Sequence, residues 1–309
     1  MNPGSQSNDL ITKIQNSLET LPQPIQQHFK TQPLENWSTI SSQKAQELCQ
    51  ALQTTPEQLA LTLLPFAAAY AHVPISNYFV GAIAIDSAGV FYFGANIEFT
   101  QAAIAHTVHA EQSAISHAWL KNATPLQWLV INYSPCGHCR QFIKESARSA
   151  DFRIQLPNRA PQSLDYYLPE SFGPVDLGIE QRLLRPRAIP KNWSQSLQPI
   201  AHPLFDAAAQ ALFKSHSPYS NSECSIALAY EDGGIVVGCY GENAAFNPSI
   251  APLQVALNYR RMQGKIWQQG ITQALMLERQ SVLSQRHSTE TLLKLYTDIP
   301  LDYHAIELP

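Results

Sequence analysis

The chain has 309 residues, 45% of them hydrophobic and 14% charged, which is enough to bury a large core and more than one typical domain needs. A formal charge of −4 and a pI near 6.2 give no basic footprint for nucleic acid or an anionic membrane surface. The start has no charged segment leading into an apolar one, and the longest apolar run, LALTLLPFAAAYAHV, is too short for a bilayer span and is broken by Pro65, so a soluble, cytoplasmic chain is expected.

In chain order, residues 9 to about 72 carry apolar residues at helical spacing in LITKIQNSLETL, SSQKAQELCQAL and PEQLALTLLPFAAAYA, which predicts three helices punctuated by Pro and Thr. FVGAIAI (79–85) and VFYFGAN (90–96), separated by DSAG, predict a β-hairpin. A helix over 107–120, a buried strand over LQWLVINY (126–133), a helix over SPCGHCRQFIKESA and a strand over DFRIQLP follow. Strands interleaved with helices predict a layered α/β fold. From 157 to 199 prolines are too dense for regular elements, and this stretch reads as a wrapping linker. The expected organisation is an N-terminal helical segment (1–55), a catalytic domain (56–156), the linker (157–199) and a second domain (200–309).

The second domain repeats the first. HVPISN (72–77) returns as HSPYSN (216–221), and the same shift pairs Gly89 with Gly233, Gly94 with Gly238 and Glu98 with Glu242. After a short deletion, VHAEQSAI (108–115) lies over IAPLQVAL (250–257). Gln112 then meets Gln254, but Ala251 stands for His109 and Leu253 for Glu111. The second copy is expected to have lost the polar chemistry of the first.

That chemistry centres on three side chains. His109, Cys136 and Cys139 supply the three protein ligands of a catalytic zinc site, whose fourth position stays open. Cysteines at i and i+3 share one face of a helical turn, with His138 between them directed away. Ser134 as N-cap and Pro135 as first helical residue would put both thiols at the positive end of a helix dipole, which favours thiolates. His109 falls near another helix start, with Thr107 or His106 as caps. Glu111 is a carboxylate that a structural zinc site does not need; as a proton carrier it is worth roughly 10²–10⁴-fold in rate. On a regular helix it would point away from His109, so the first turn must be irregular.

Blander readings compete. A closed zinc site with His138 or His106 as fourth ligand leaves Glu111 unused, and a redox C-x-x-C has no role for His109. His72, His117 and His216 read as packing or capping residues, Cys224 and Cys239 as buried apolar residues, and NYRRMQGK (258–265) as a solvated helix face.

HAE at 109–111 followed by PCGHC at 135–139 matches the zinc deaminase pattern H-x-E…P-C-x-x-C. With SNYFVGAIA, FGANIEF, TVHAEQSAISHAWL, NYSPCGHCRQF, LPESFGP and ENAAFNP, the chain resembles the long, homodimeric bacterial cytidine deaminases over about residues 50 to 260. His109 and Gln112 group it with that form; the short tetrameric relatives carry Cys and Arg there. The resemblance implies a cytidine-deaminase-like three-layer α/β/α domain with a mixed sheet, followed by a degenerate copy, and one zinc ion per chain. It implies hydrolytic deamination of cytidine and 2′-deoxycytidine in pyrimidine salvage, by attack of zinc-activated water at C4 with Glu111 shuttling protons.

It also implies that Asn96 and Glu98 hold the ribose hydroxyls, Glu98 taking the 3′-OH. Tyr78 would stack on the pyrimidine where the family usually has Phe, Tyr133 would wall the pocket, and the backbone of Ala110 would contact the base. The expected partner is a second copy with shared active sites, the partner subunit's Ala245 and Phe246 closing each pocket, and neither nucleic acid nor membrane is expected. Two rivals are a zinc deaminase acting on bases of tRNA or single-stranded nucleic acid, which needs a basic channel, and a non-catalytic interaction protein held by structural zinc.

Overall fold

The structure is a computed structural model that describes residues 3–185 and 200–307, with side chains described from residue 9. Its N-terminal helices are α1 (Pro3–Glu19), α2 (Gln23–Lys30), α3 (Ser42–Leu52) and α4 (Pro56–Ala68), with the short strand β1 (Thr39–Ile40) between α2 and α3. In α1, Leu10, Ile14 and Leu18 recur every fourth residue and are buried. The Ser41 side chain accepts from Lys44 N at the start of α3, and Gln53 ends it in the left-handed conformation. Two points differ from expectation. Pro24 sits in the first turn of α2, a helix the punctuation hid, and Pro65 lies inside α4, which continues to Ala68. Among the described residues no helix is long and apolar enough to cross a membrane.

Next come β2 (Gly81–Asp86), β3 (Phe91–Ala95), α5 (Ala110–Leu120), β4 (Leu126–Ile131), α6 (Gly137–Glu145), β5 (Arg148–Gln155) and the single turn α7 (Leu164–Tyr167). The sheet runs β1-β3-β2-β4-β5, antiparallel except for the parallel β4/β5 pair. Alternation sets its two faces. Ile83, Ile85, Phe91 and Phe93 pack against the N-terminal helices around Phe29 and Phe66, whereas Ala82, Ala84 and Tyr92 face α5. The α5 layer approaches so closely that a β-carbon on Gly94 would lie 2.1 Å from the Ala114 nitrogen.

The second unit repeats the plan with α8 (Phe205–Leu212), β6 (Cys224–Tyr230), β7 (Ile235–Cys239), α9 (Pro252–Met262), β8 (Ile271–Arg279), α10 (Arg286–Leu293) and β9 (Asp302–Ile306). Its sheet runs β7-β6-β8-β9 with β8/β9 parallel. Ala227, Leu275 and Leu277 pack on α8, while Ile226 and Leu228 join Val255 and Ala256 of α9 on the opposite face. Each unit is thus a three-layer α/β/α sandwich. Gly238 matches Gly94: its β-carbon would lie 1.9 Å from the Pro252 carbonyl oxygen.

The inner layers α5 and α9 meet in one core. Ser113 Oγ donates to Asn258 Oδ1 at 2.6 Å, and Asn258 Nδ2 donates to Ser113 O and Ser116 Oγ. The seam is reciprocal. Gln112 Nε2 donates to Pro248 O at 3.2 Å and Gln254 Nε2 to His106 O at 2.7 Å, while each glutamine's Oε1 accepts from its own N-cap amide, His109 N or Ala251 N. The repeat read from HVPISN and HSPYSN also recurs as geometry: Glu98 accepts from Ile75 N and Ser76 N, and Glu242 from Tyr219 N and Ser220 N.

NYRRMQGK is not a solvated face. Arg260 and Arg261 are each only 5% exposed, because α9 is covered by its own sheet and by the first unit. Arg261 donates to Tyr70 O and Ala71 O just beyond α4, and Arg260 pairs with Asp232 over the Tyr230 ring. Cys224 and Cys239 are fully buried. Of the proline-rich stretch, Leu164, Tyr167, Leu183 and Leu184 are buried against the shared core; Pro186, Pro190 and Pro199 lie outside the described residues.

His117 is buried under the first sheet, its Nδ1–H donating to Phe93 O at 2.9 Å. Burial holds it neutral, down to about 4. A folded value below the unfolded 6.5 means that the unfolded chain takes the proton first, so stability is complete above pH 6.5 and falls as pH drops toward 4. The single group is worth up to about 3 kcal/mol over that window. Urea unfolding of His117→Gln should show a flatter pH dependence between 6.5 and 4 than the parent; identical slopes would refute this account.

Candidate active site

Two helix N-termini converge. His109 is itself the N-cap of α5, with φ −77° and ψ 155°, and Cys136 is the N-cap of α6, with φ −70° and ψ 168°. This corrects the expected caps: Ser134 and Pro135 precede the helix, and Thr107 and His106 lie before His109. It also settles the difficulty over Glu111. An extended His109 stands outside the helical path, so its ring need not diverge from Glu111 at the second helical position.

His109 Nδ1 lies 3.5 Å from Cys136 Sγ, and the donor atoms of His109, Cys136 and Cys139 all fall within 4.8 Å of one another. Tetrahedral zinc, with bonds of about 2.3 Å to sulfur and 2.0 Å to nitrogen, separates such donors by roughly 3.5–3.8 Å, so the set fits the ion. Among the described residues no fourth His, Cys, Asp or Glu joins the group. His138 does not point well away; its ring stacks on that of His109 at 5.1 Å, outside the donor set. Hydrogen bonds from the Cys139 thiol and the His109 ring bring Cys136 down to about 3, while neighbouring Cys136 and burial push Cys139 up. Two sulfurs thus compete for one proton, a position that a divalent cation relieves.

Glu111 is 5% exposed at the start of α5 beside Cys139, and burial raises its proton affinity above that of an ordinary carboxylate. A cavity of about 410 Å³ opens over it, within the range of small-molecule sites. Tyr78, Asn96, Glu98, His109, Ala110, Glu111, Tyr133 and Cys136 all line it, and Cys139 is buried behind. Tyr78 and Tyr133 lie against each other at 4.6 Å with their rings tilted by 35°, half exposed. Asn96 Oδ1 accepts from Val80 N and its Nδ2 donates to Tyr78 O, so this amide fixes the segment that carries Tyr78. Glu98 accepts from both amides of the 75–76 turn and from the Ser76 hydroxyl; these bonds outweigh its burial and keep it more acidic than usual.

Similarity to known proteins follows this geometry. The family model described as "Cytidine and deoxycytidylate deaminase zinc-binding region" matches residues 54–152, and a second model of the same description matches 164–290. The cytidine deaminase of Pasteurella multocida (strain Pm70) is 44% identical over 281 residues, 91% of each chain. That of Haemophilus influenzae (strain 86-028NP) is 41% identical over 302 residues, covering 96% of this chain and 99% of the relative. The chain belongs to the cytidine deaminase family. A solved cytidine deaminase from Mycobacterium tuberculosis matches 35% of this chain and 89% of its own at 32% identity, with a TM-score of 0.32.

Zinc is the cofactor, since both matched family models are described as zinc-binding regions, and the His/Cys/Cys set is where the chain can hold it. Of the other histidines, His117 lies under the sheet, His72 packs edge-on against Trp267, and His216 pairs with buried Glu145. Sequence reasoning missed Ser76, whose hydroxyl reaches Glu98, and Asn132, whose amide ties Gly81 N to Phe79 O from the opposite side. The signal was present in NYSPC, where an asparagine directly follows the buried apolar run LVI that ends β4.

Proposed function

We propose that the chain hydrolyses cytidine and 2′-deoxycytidine to the uridines and ammonia, with one zinc ion held by His109, Cys136 and Cys139. The observation that carries this reading is the meeting of three metal donors and a buried carboxylate in one nucleoside-sized cavity of a family member. When bound, zinc supplies Lewis acidity that makes water nucleophilic near neutral pH. Glu111 takes one proton from the attacking water and delivers it to N3, where uridine keeps it. It then carries the second, from the new C4 hydroxyl to N4, and the C4–N4 bond breaks to release ammonia. Burial of Glu111 suits this work, because a raised proton affinity lets it hold each proton between transfers.

Tyr78 stacks on the base, Tyr133 walls the pocket behind it, and the Ala110 backbone meets the base edge. Glu98 has about four acceptor positions; three are taken by the 75–76 turn, which leaves one for the ribose 3′-hydroxyl. Glu98→Gln should raise KM for cytidine ~10–100-fold, the cost of about 1–3 kcal/mol for a badly matched buried polar group. It should also shrink discrimination against 3′-deoxycytidine. Steady-state kinetics on both nucleosides checks this, and unchanged discrimination would remove Glu98 from the sugar site.

The reading extends to pyrimidine salvage in the cytoplasm, a compartment that suits five free thiols, and to a homodimer, supported by exposed Tyr78, Tyr133, Phe172 and Phe246. Residues 200–309 serve as a non-catalytic domain in it. The decisive experiment follows loss of cytidine absorbance with purified protein while measuring zinc per chain. Stoichiometric zinc with no turnover of either nucleoside would overturn the proposal.

A further inference from the structure

Glu145, the last residue of α6, is a buried carboxylate that neither the zinc set nor the proton transfers use. It is fully buried, and among the described residues its carboxylate is hydrogen-bonded only by the second unit. Its Oε1 accepts from His216 Nε2 at 2.6 Å and from the Tyr219 hydroxyl at 2.8 Å, and its Oε2 accepts from Ala244 N at 3.0 Å. One turn earlier on the same helix, Asn243 Nδ2 donates to Gln141 O at 3.0 Å. Among the described residues His216 Nδ1 is buried without a partner, and the ring's hydrogen bond is the one to Glu145.

The cluster also breaks the internal repeat. The matching His72 lies against Trp267 and 3.3 Å from Gln268 Nε2. The His216 side thus carries a feature specific to the helix with the two cysteines. The N-terminal end of α6 is tied within the first unit, where Arg140 donates to Pro135 O and Tyr167 O. Its C-terminal end is held on two sides: Leu183 N donates to Glu145 O and Arg148 Nη1 to Ile143 O, while the Glu145 carboxylate is bonded across the seam by the contacts just named. From Cys139 to Glu145 the helix is about 9 Å long and rigid, so a shift at one end moves the thiol at the other.

Resting on the zinc deaminase reading above, we propose that Glu145 is a positioning residue: its clamp to His216, Tyr219 and the Ala244 amide fixes α6, and so sets Cys136 and Cys139 against His109. The second unit, which gives no ligand to the zinc set, thereby governs how well the metal is kept. Misplacement by about 1 Å can cost on the order of 10²-fold in rate, and loss of an outer support about 10–100-fold in metal affinity.

The test compares parent, Glu145→Gln and Tyr219→Phe proteins, each loaded with zinc. It measures zinc release to a chromogenic chelator, kcat and KM for cytidine, and urea unfolding. In Glu145→Gln one oxygen facing the Ala244 amide becomes an NH₂ group, so the clamp is damaged at constant shape. Zinc release should accelerate roughly tenfold or more, and kcat should fall by a similar factor. KM should stay within about twofold, because the sugar and base contacts lie on other elements. Tyr219→Phe removes one bond and should move both readouts the same way by about two- to threefold; it carries the test by itself if the glutamine variant does not fold. Parental zinc release and kcat in the folded variants, with only a lower urea midpoint, would make Glu145 merely structural and overturn the proposal. Those results leave the functional reading intact, which fails separately if the parent neither keeps zinc nor consumes cytidine.

Discussion

Glu111→Gln should yield a folded chain that retains its zinc and has lost roughly 10²–10⁴-fold or more of its turnover of cytidine. The amide is the same size as the carboxylate and can occupy the same buried place beside Cys139, but it cannot take a proton from water or return one to N3 and N4. Burial gives a second expectation. A carboxylate desolvated at this position is costly when ionised, so its replacement by a neutral amide should leave the urea midpoint equal to or above the parental value. Metal analysis, unfolding and a progress curve on one preparation check all three. Turnover within tenfold of the parent would remove Glu111 from the chemistry, and lost zinc would reassign it to metal retention.

The other large effect is expected at the metal donors. His109→Ala removes the nitrogen that faces Cys136 Sγ at 3.5 Å and leaves two sulfurs as the only donors in the described set. Affinity for zinc should fall by more than the roughly 10–100-fold that follows loss of an outer-sphere partner. The dialysed variant should therefore contain little metal and show no measurable deamination. Cys136→Ala should behave alike, whereas His138→Ala, which removes only the ring stacked on His109, should keep its zinc. A metal-free but active His109→Ala protein would refute the ligand assignment.

Much of this site was legible because its chemistry sits in local motifs. HAE and PCGHC each hold their chemistry within a few residues, and the Glu98/Glu242 pairing survives as a carboxylate accepting from two successive turn amides in both copies, with a serine hydroxyl added only at Glu98. The exact helix starts were less legible. Ser134 is a better N-cap by ordinary preference, but the helix begins later, so a thiol and an imidazole stand at the cap positions where their donor atoms can meet. Long-range burial was not legible at all. Arg260 and Arg261 look like a wet stripe until α9 is seen covered on both sides, and nothing in QFIKES announces that its glutamate bonds to a histidine in the other unit. Such pairings depend on which surfaces the chain brings together, which periodicity does not encode.

The reciprocal Gln112 and Gln254 contacts carry a consequence for how this molecule tolerates change. Because both halves are one polypeptide, dilution cannot separate the working half from its support. The second unit, which adds no donor to the metal set among the described residues, should be free to vary over its outer helix and loops, whereas substitutions along the joint should be felt at the site of the first. Inherited variation in this chain should therefore be sparse along that joint and abundant on the far side of the second sheet.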